Sequence, residues 1–124
     1  MLKKLEMSDA MHQKIINYCN EKKIEFLSTA FNIEELEYLV NLGIKRIKIP
    51  SGEITNLPYL EKAASFGLPL IVSTGMSTLT EVCNAYEVLS KAGVNNNSMT
   101  FLHCTSNYPT KLNAVNLRAM ILIK

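Results

Sequence analysis

Lys48-Ile49-Pro50-Ser51-Gly52-Glu53 is the stretch on which the fold turns. Arg46 to Ile49 reads as a short β-rich run, and a hydroxyl, a glycine and a carboxylate follow at its carboxyl end. Side chains of a strand alternate between faces, so Lys48 points away from the face that Ile47 and Ile49 cover. A charged lysine on the inner side of a sheet is costly unless an anion meets it. The first expectation is therefore an anionic ligand, phosphate or carboxylate.

Three more β-rich runs flank this one, at Ile24 to Ser28, Pro69 to Ser73 and Met99 to Thr105. Helical patterns lie between them, and such alternation implies parallel strands joined by crossover helices. A first helix from about Ser8 to Lys22 places Met11, Ile15, Tyr18 and Cys19 at helical spacing. Asn32 and Glu35 form a capping pair before the stripe Ile33, Leu36, Leu39 and Val40, which Gly43 ends. A third helix starts near Asn56 and Pro58 and stops at Gly67. Thr78 and Glu81 form a capping box before Val82, Tyr86 and Leu89, and Gly93 closes that helix. Val94 to Ser98 is a polar loop, and a last helix is expected from about Ala114.

No Pro/Gly-rich linker divides residues 1–124, so one α/β piece is expected. Repeats of roughly 20 to 30 residues suit a (β/α)8 TIM barrel, which takes about 250 residues. The 124 residues give about half a barrel, four parallel strands with crossover helices. Such a piece leaves strand edges open or pairs them with another chain, a route to a homo-oligomer. A small doubly wound sheet is the alternative fold.

Composition excludes several classes. A net charge of +2 with no basic run argues against nucleic acid. No apolar stretch approaches the ~18 residues of a membrane span, and no signal-peptide core follows Met1-Leu2-Lys3-Lys4. Cys19, Cys83 and Cys104 are scattered and odd in number. They suit a reducing cytoplasm and read as buried small apolar residues. His12 falls on the polar side of its helix and reads as solvated. His103 and Cys104 point to opposite faces of a strand and cannot chelate one metal.

Every run ends alike: Ser28-Thr29, Ser51-Gly52-Glu53, Ser73-Thr74-Gly75-Met76 and Thr105-Ser106-Asn107-Tyr108-Pro109. Singly, such residues cap the helices that follow. In a (β/α) barrel the carboxyl ends of all strands share the catalytic face. Hydroxyls, glycine amides and one lysine gathered there would make a phosphate cradle; the alternative for Lys48 is that it snorkels from its strand end to water. Glu53 is either an exposed loop carboxylate or an acid/base group. Tyr108 belongs to a plain turn, or its ring and hydroxyl face a ligand.

These motifs, with Phe26-Leu27-Ser28-Thr29-Ala30-Phe31 before them and Asn116-Leu117-Arg118-Ala119-Met120 after, occur in order over nearly the whole chain. Together they resemble the N-acetylneuraminate (sialic acid) synthase family, which includes the legionaminate synthases. The resemblance implies a (β/α)8 barrel of which this chain matches the third to sixth strands. It implies condensation of phosphoenolpyruvate with an N-acetylated amino sugar and release of phosphate. Thr29, Lys48, Ser51 and Ser73 would hold phosphoenolpyruvate, Ser106 and Tyr108 would line the substrate pocket, and Glu53 would be the acid/base group. A divalent manganese or magnesium ion would polarise the sugar aldehyde, with ligands supplied by strands absent from this chain. Ser51-Gly52-Glu53 resembles the neuraminate and legionaminate branch. Ala30, Pro50 and Ser106 depart from residues common in the family at those places. Two other readings compete: a non-catalytic half-barrel assembly module, and a Schiff-base aldolase using Lys48.

Overall fold

Parallel β/α units account for the middle of the chain. The computed structural model describes residues 7–123. Its elements are helix α1 (Asp9–Lys22), helix α2 (Ile33–Asn41), strand β1 (Ile47–Ile49), helix α3 (Leu57–Ser65), strand β2 (Leu70–Ser73), helix α4 (Leu79–Lys91), strand β3 (Met99–Leu102) and helix α5 (Ala119–Ile123). The strands form one parallel sheet in the order β1-β2-β3. Lys48 stands beside Ile71 and Ser73 beside Leu102.

This register sorts the side chains. Ile47, Ile49, Leu70 and Val72 are buried together with Leu36 and Leu39 of α2, Leu60 and Ala63 of α3, and Val82, Ala85 and Leu89 of α4. The opposite face carries Lys48, Ile71, Ser73, Thr100 and Leu102. It is only partly covered, apart from buried Ser73. One face is thus an apolar core under helices, and the other is mixed in character.

Local chemistry sets the helix ends. The Asn32 side chain accepts from Glu35 N, and Glu35 accepts from Phe31 N, one residue earlier than a strict capping box requires. Thr78 and Glu81 make the full reciprocal box. Hydrogen bonds from the Thr78 amide and hydroxyl hold the Glu81 carboxyl below the usual carboxylate range. Gly43, Gly67 and Gly93 follow α2, α3 and α4 with φ of 88°, 65° and 90°, which side chains rarely adopt.

Several expectations need correction. Only three of the four expected strands form. In place of the run Ile24 to Ser28, a single parallel bridge joins Thr29 to Lys48. The Ile24 amide is already bound to Cys19 O in the cap of α1, and Glu25 is turned to a bidentate pair with Arg46. The strand expected to reach Thr105 ends at Leu102, whose carbonyl accepts both the amide and the hydroxyl of Thr74. The final helix begins at Ala119, because extended Val115 interrupts it after a short turn at Leu112–Ala114. Met11 and Tyr18 are exposed, and α1 packs instead through His12, Ile15, Ile16 and Cys19. His12 is not solvated: its ring meets Phe26 and Tyr38 edge-on, at 6.3 and 5.5 Å. Cys83 is exposed and Cys19 and Cys104 are partly covered, so none is a fully buried apolar filler.

Tyr59 ties α3 to the end of the first run. It is fully buried, and its hydroxyl donates to the Ala30 carbonyl at 2.9 Å. Burial, then the charges of Glu53 and Glu35, push its phenol up to about 12, so it remains a donor throughout the neutral range. Tyr59→Phe leaves a buried carbonyl without its partner and costs about 1–3 kcal/mol, read by urea denaturation. A change within a few tenths of a kcal/mol would contradict that role.

Candidate functional site

The carboxyl ends of β1, β2 and β3 all lie on one rim, because the strands are parallel. Lys48 is partly buried on the mixed face. Its ammonium donates to Ser73 Oγ at 2.5 Å and, more weakly, to the Ile49 carbonyl at 3.4 Å. An ammonium has three donors, so one N–H of Lys48 has no acceptor among the described residues. Ser73 is 5% exposed and spends its oxygen as an acceptor for Lys48, which leaves its proton free to donate.

Ser51 shows the same bias. It opens the short turn Ser51–Glu53 after β1, and its Oγ accepts the Gly75 amide at 2.9 Å. The Ser51 proton is then free as well. Ser106, beyond β3, brings its hydroxyl into the space that a side chain on the same Gly75 would fill. The rim therefore joins three strand ends and presents donors: one ammonium N–H and the protons of Ser51 and Ser73. Such a lining suits an anion and repels a cation.

The remaining expected residues are placed less directly. Thr29 reaches the rim through its backbone bridge to Lys48. Glu53 makes no ion pair with Lys48 among the described residues. Its carboxylate accepts from the Asn56 side chain at 2.6 Å. Asn56 also caps α3 by accepting from Tyr59 N, so the helix start fixes the direction of Glu53. Tyr108 is 89% exposed and has no hydrogen bond among the described residues, so it is not drawn into the Lys48 cluster.

Two contributors were not singled out in the sequence, Gly75 and Asn56. The amide of Gly75 was legible only as part of a Ser-Thr-Gly strand end. Asn56 read as a cap, and nothing local signals its hold on Glu53. Among the described residues no three His, Cys, Asp or Glu side chains converge. The described part of the chain thus does not by itself fit a divalent ion.

The sequence profile of the NeuB family matches residues 1–124. The chain belongs to the NeuB family. Among its NeuB-type relatives, the N,N'-diacetyllegionaminic acid synthase of Campylobacter jejuni is 47% identical over 124 residues, all of this chain and 37% of that protein. The synthase of the same name from Legionella pneumophila is 49% identical over 122 residues, 97% of this chain and 34% of that protein. Among solved structures, the N-acetylneuraminic acid (sialic acid) synthetase of Leptospira borgpetersenii, in complex with citrate, superimposes with a TM-score of 0.87 at 30% identity. That match covers 95% of this chain and 41% of the other. The chain thus spans about a third of the curated relatives it matches.

Proposed function

We propose that this chain is the phosphoenolpyruvate-holding part of a nonulosonic (sialic or legionaminic) acid synthase. It supplies the third to sixth strand positions of the barrel. The reading is carried by one observation: Lys48 and Ser73 from adjacent strands meet on the mixed face, and their contact leaves the Ser73 proton and an ammonium N–H to donate elsewhere. The relatives named as legionaminic acid synthases support it at 47% and 49% identity.

In the proposed reaction the enol carbon of phosphoenolpyruvate bonds to the aldehyde carbon of an N-acetylated amino sugar. The aldehyde oxygen gains a proton, and with one water the phosphate leaves to give a 2-keto acid. Lys48 and the hydroxyls of Ser51 and Ser73 hold the phosphate and offset its charge through charge-assisted bonds. Thr29 and Ser106 would flank that position, and Tyr108, exposed and outside the Lys48 cluster, would reach the sugar from the solvent side. Glu53, aimed by Asn56, handles the proton at the reacting carbons. A divalent manganese or magnesium ion bound by the whole enzyme would polarise the aldehyde as a Lewis acid, and its ligands would have to come from outside the described residues.

The partners are then phosphoenolpyruvate and an amino sugar, and the setting is the cytoplasm, where the free thiols of Cys19, Cys83 and Cys104 persist. The open edge of β3, beside an apolar groove lined by Tyr86, Phe101 and Met120, agrees with a sheet that continues on that side. Calorimetric titration of phosphoenolpyruvate into the chain tests the reading. Saturable 1:1 binding that inorganic phosphate competes away is expected. Heats no different from dilution would remove it.

A further inference from the structure

Gly75 is a glycine because space is short, not because the backbone there needs freedom. The turn after β2 closes with Ser77 N donating to Thr74 O at 3.3 Å. The left-handed residue in that turn is Met76, at φ 61°, and not Gly75. Gly43, Gly67 and Gly93 show the opposite case: each has positive φ, and a methyl on any of them would meet nothing within 4 Å. A methyl on Gly75 would stand 2.6 Å from Ser106 Oγ, 2.8 Å from Ser51 Oγ and 3.3 Å from Ser51 Cβ. Real Cβ atoms essentially never come under 3.0 Å.

The Gly75 amide also has a directional task. By donating to Ser51 Oγ it occupies one lone pair of that oxygen and leaves the hydroxyl proton to donate to another acceptor. We propose that Gly75 is a positioning residue of the anion site: its amide makes Ser51 a donor, and its bare α-carbon admits the Ser51 and Ser106 hydroxyls side by side from two strand ends. This rests on the anion-binding reading of the rim given above. Gly75 need not touch the anion; it acts through Ser51.

Inorganic phosphate, titrated by calorimetry, is the probe. Gly75→Ala is expected to weaken phosphate binding roughly tenfold, the loss of about one oriented hydrogen bond. Ser51→Ala should weaken it by a similar factor. The double variant Gly75→Ala/Ser51→Ala should bind no more weakly than either single one, because both remove the same donor. Additive losses would show that Gly75 only supports the fold, and would overturn the proposal. The unaltered chain provides a readout that does not depend on the variant folding. Its Gly75 amide resonance should move with phosphate along the binding curve, as the anion draws the Ser51 proton and polarises the chain of bonds. In Ser51→Ala the movement should vanish even at saturation. Phosphate binding with an unmoved Gly75 amide would sink the proposal and leave the rim reading intact. No phosphate binding by the unaltered chain would sink both.

Discussion

Lys48→Met will abolish most of the phosphate affinity of this chain, lowering it at least about tenfold, with little loss of stability. A hydrogen bond from a charged group is worth about 1.5–3 kcal/mol, and each 1.4 kcal/mol is a factor of ten. Methionine keeps an unbranched stem on the mixed face and removes only the ammonium. Ser73 then loses its donor, so its hydroxyl is no longer held as an acceptor with its proton left for the anion. Arginine should not restore binding, because its planar fork cannot occupy the place of a compact ammonium 2.5 Å from Ser73 Oγ. Calorimetry with inorganic phosphate reads the affinity, and thermal denaturation reads the stability. Affinity unchanged by Lys48→Met would remove Lys48 from the site. A large stability loss would instead make it a structural residue.

Leu60→Ala should cost the fold about 2–5 kcal/mol. Leu60 is 0% exposed in the core shared by α3 and the covered face of the sheet. Truncation removes apolar contacts and leaves a void that the strands cannot close, because Ile47, Ile49, Leu70 and Val72 are held by the parallel register. Natural domains have only about 5–15 kcal/mol of net stability, so this loss lowers Tm by roughly 10 °C or more. Differential scanning calorimetry is the check. A shift of a degree or two would mean that α3 is not packed on the sheet as described.

What could be read in the sequence was local or periodic. The Thr78–Glu81 box, the Asn32 cap and the terminating glycines 43, 67 and 93 depend on residues at most a few positions apart. The direction of Lys48 followed from the two-residue period of a strand between Ile47 and Ile49. What could not be read was decided by distant partners. Ser51 and Gly75 are 24 positions apart, and the reason for a glycine at 75 exists only once Ser51 and Ser106 arrive. The run Ile24 to Ser28 has strand-forming residues, yet its first amide is taken by the α1 cap and Glu25 by Arg46. His12 looked polar by position until Phe26 and Tyr38 closed over its ring. The link from Tyr59 to Ala30 likewise spans 29 positions.

The most direct test of the central claim, that successive strand ends converge on a bound anion, is a crystal of this chain soaked with tungstate, a heavy tetrahedral stand-in for phosphate. The anomalous peak is expected within hydrogen-bond reach of Lys48 Nζ and of the Ser51 and Ser73 hydroxyls. A strong peak elsewhere, with that rim empty at full occupancy of the soak, would contradict the account.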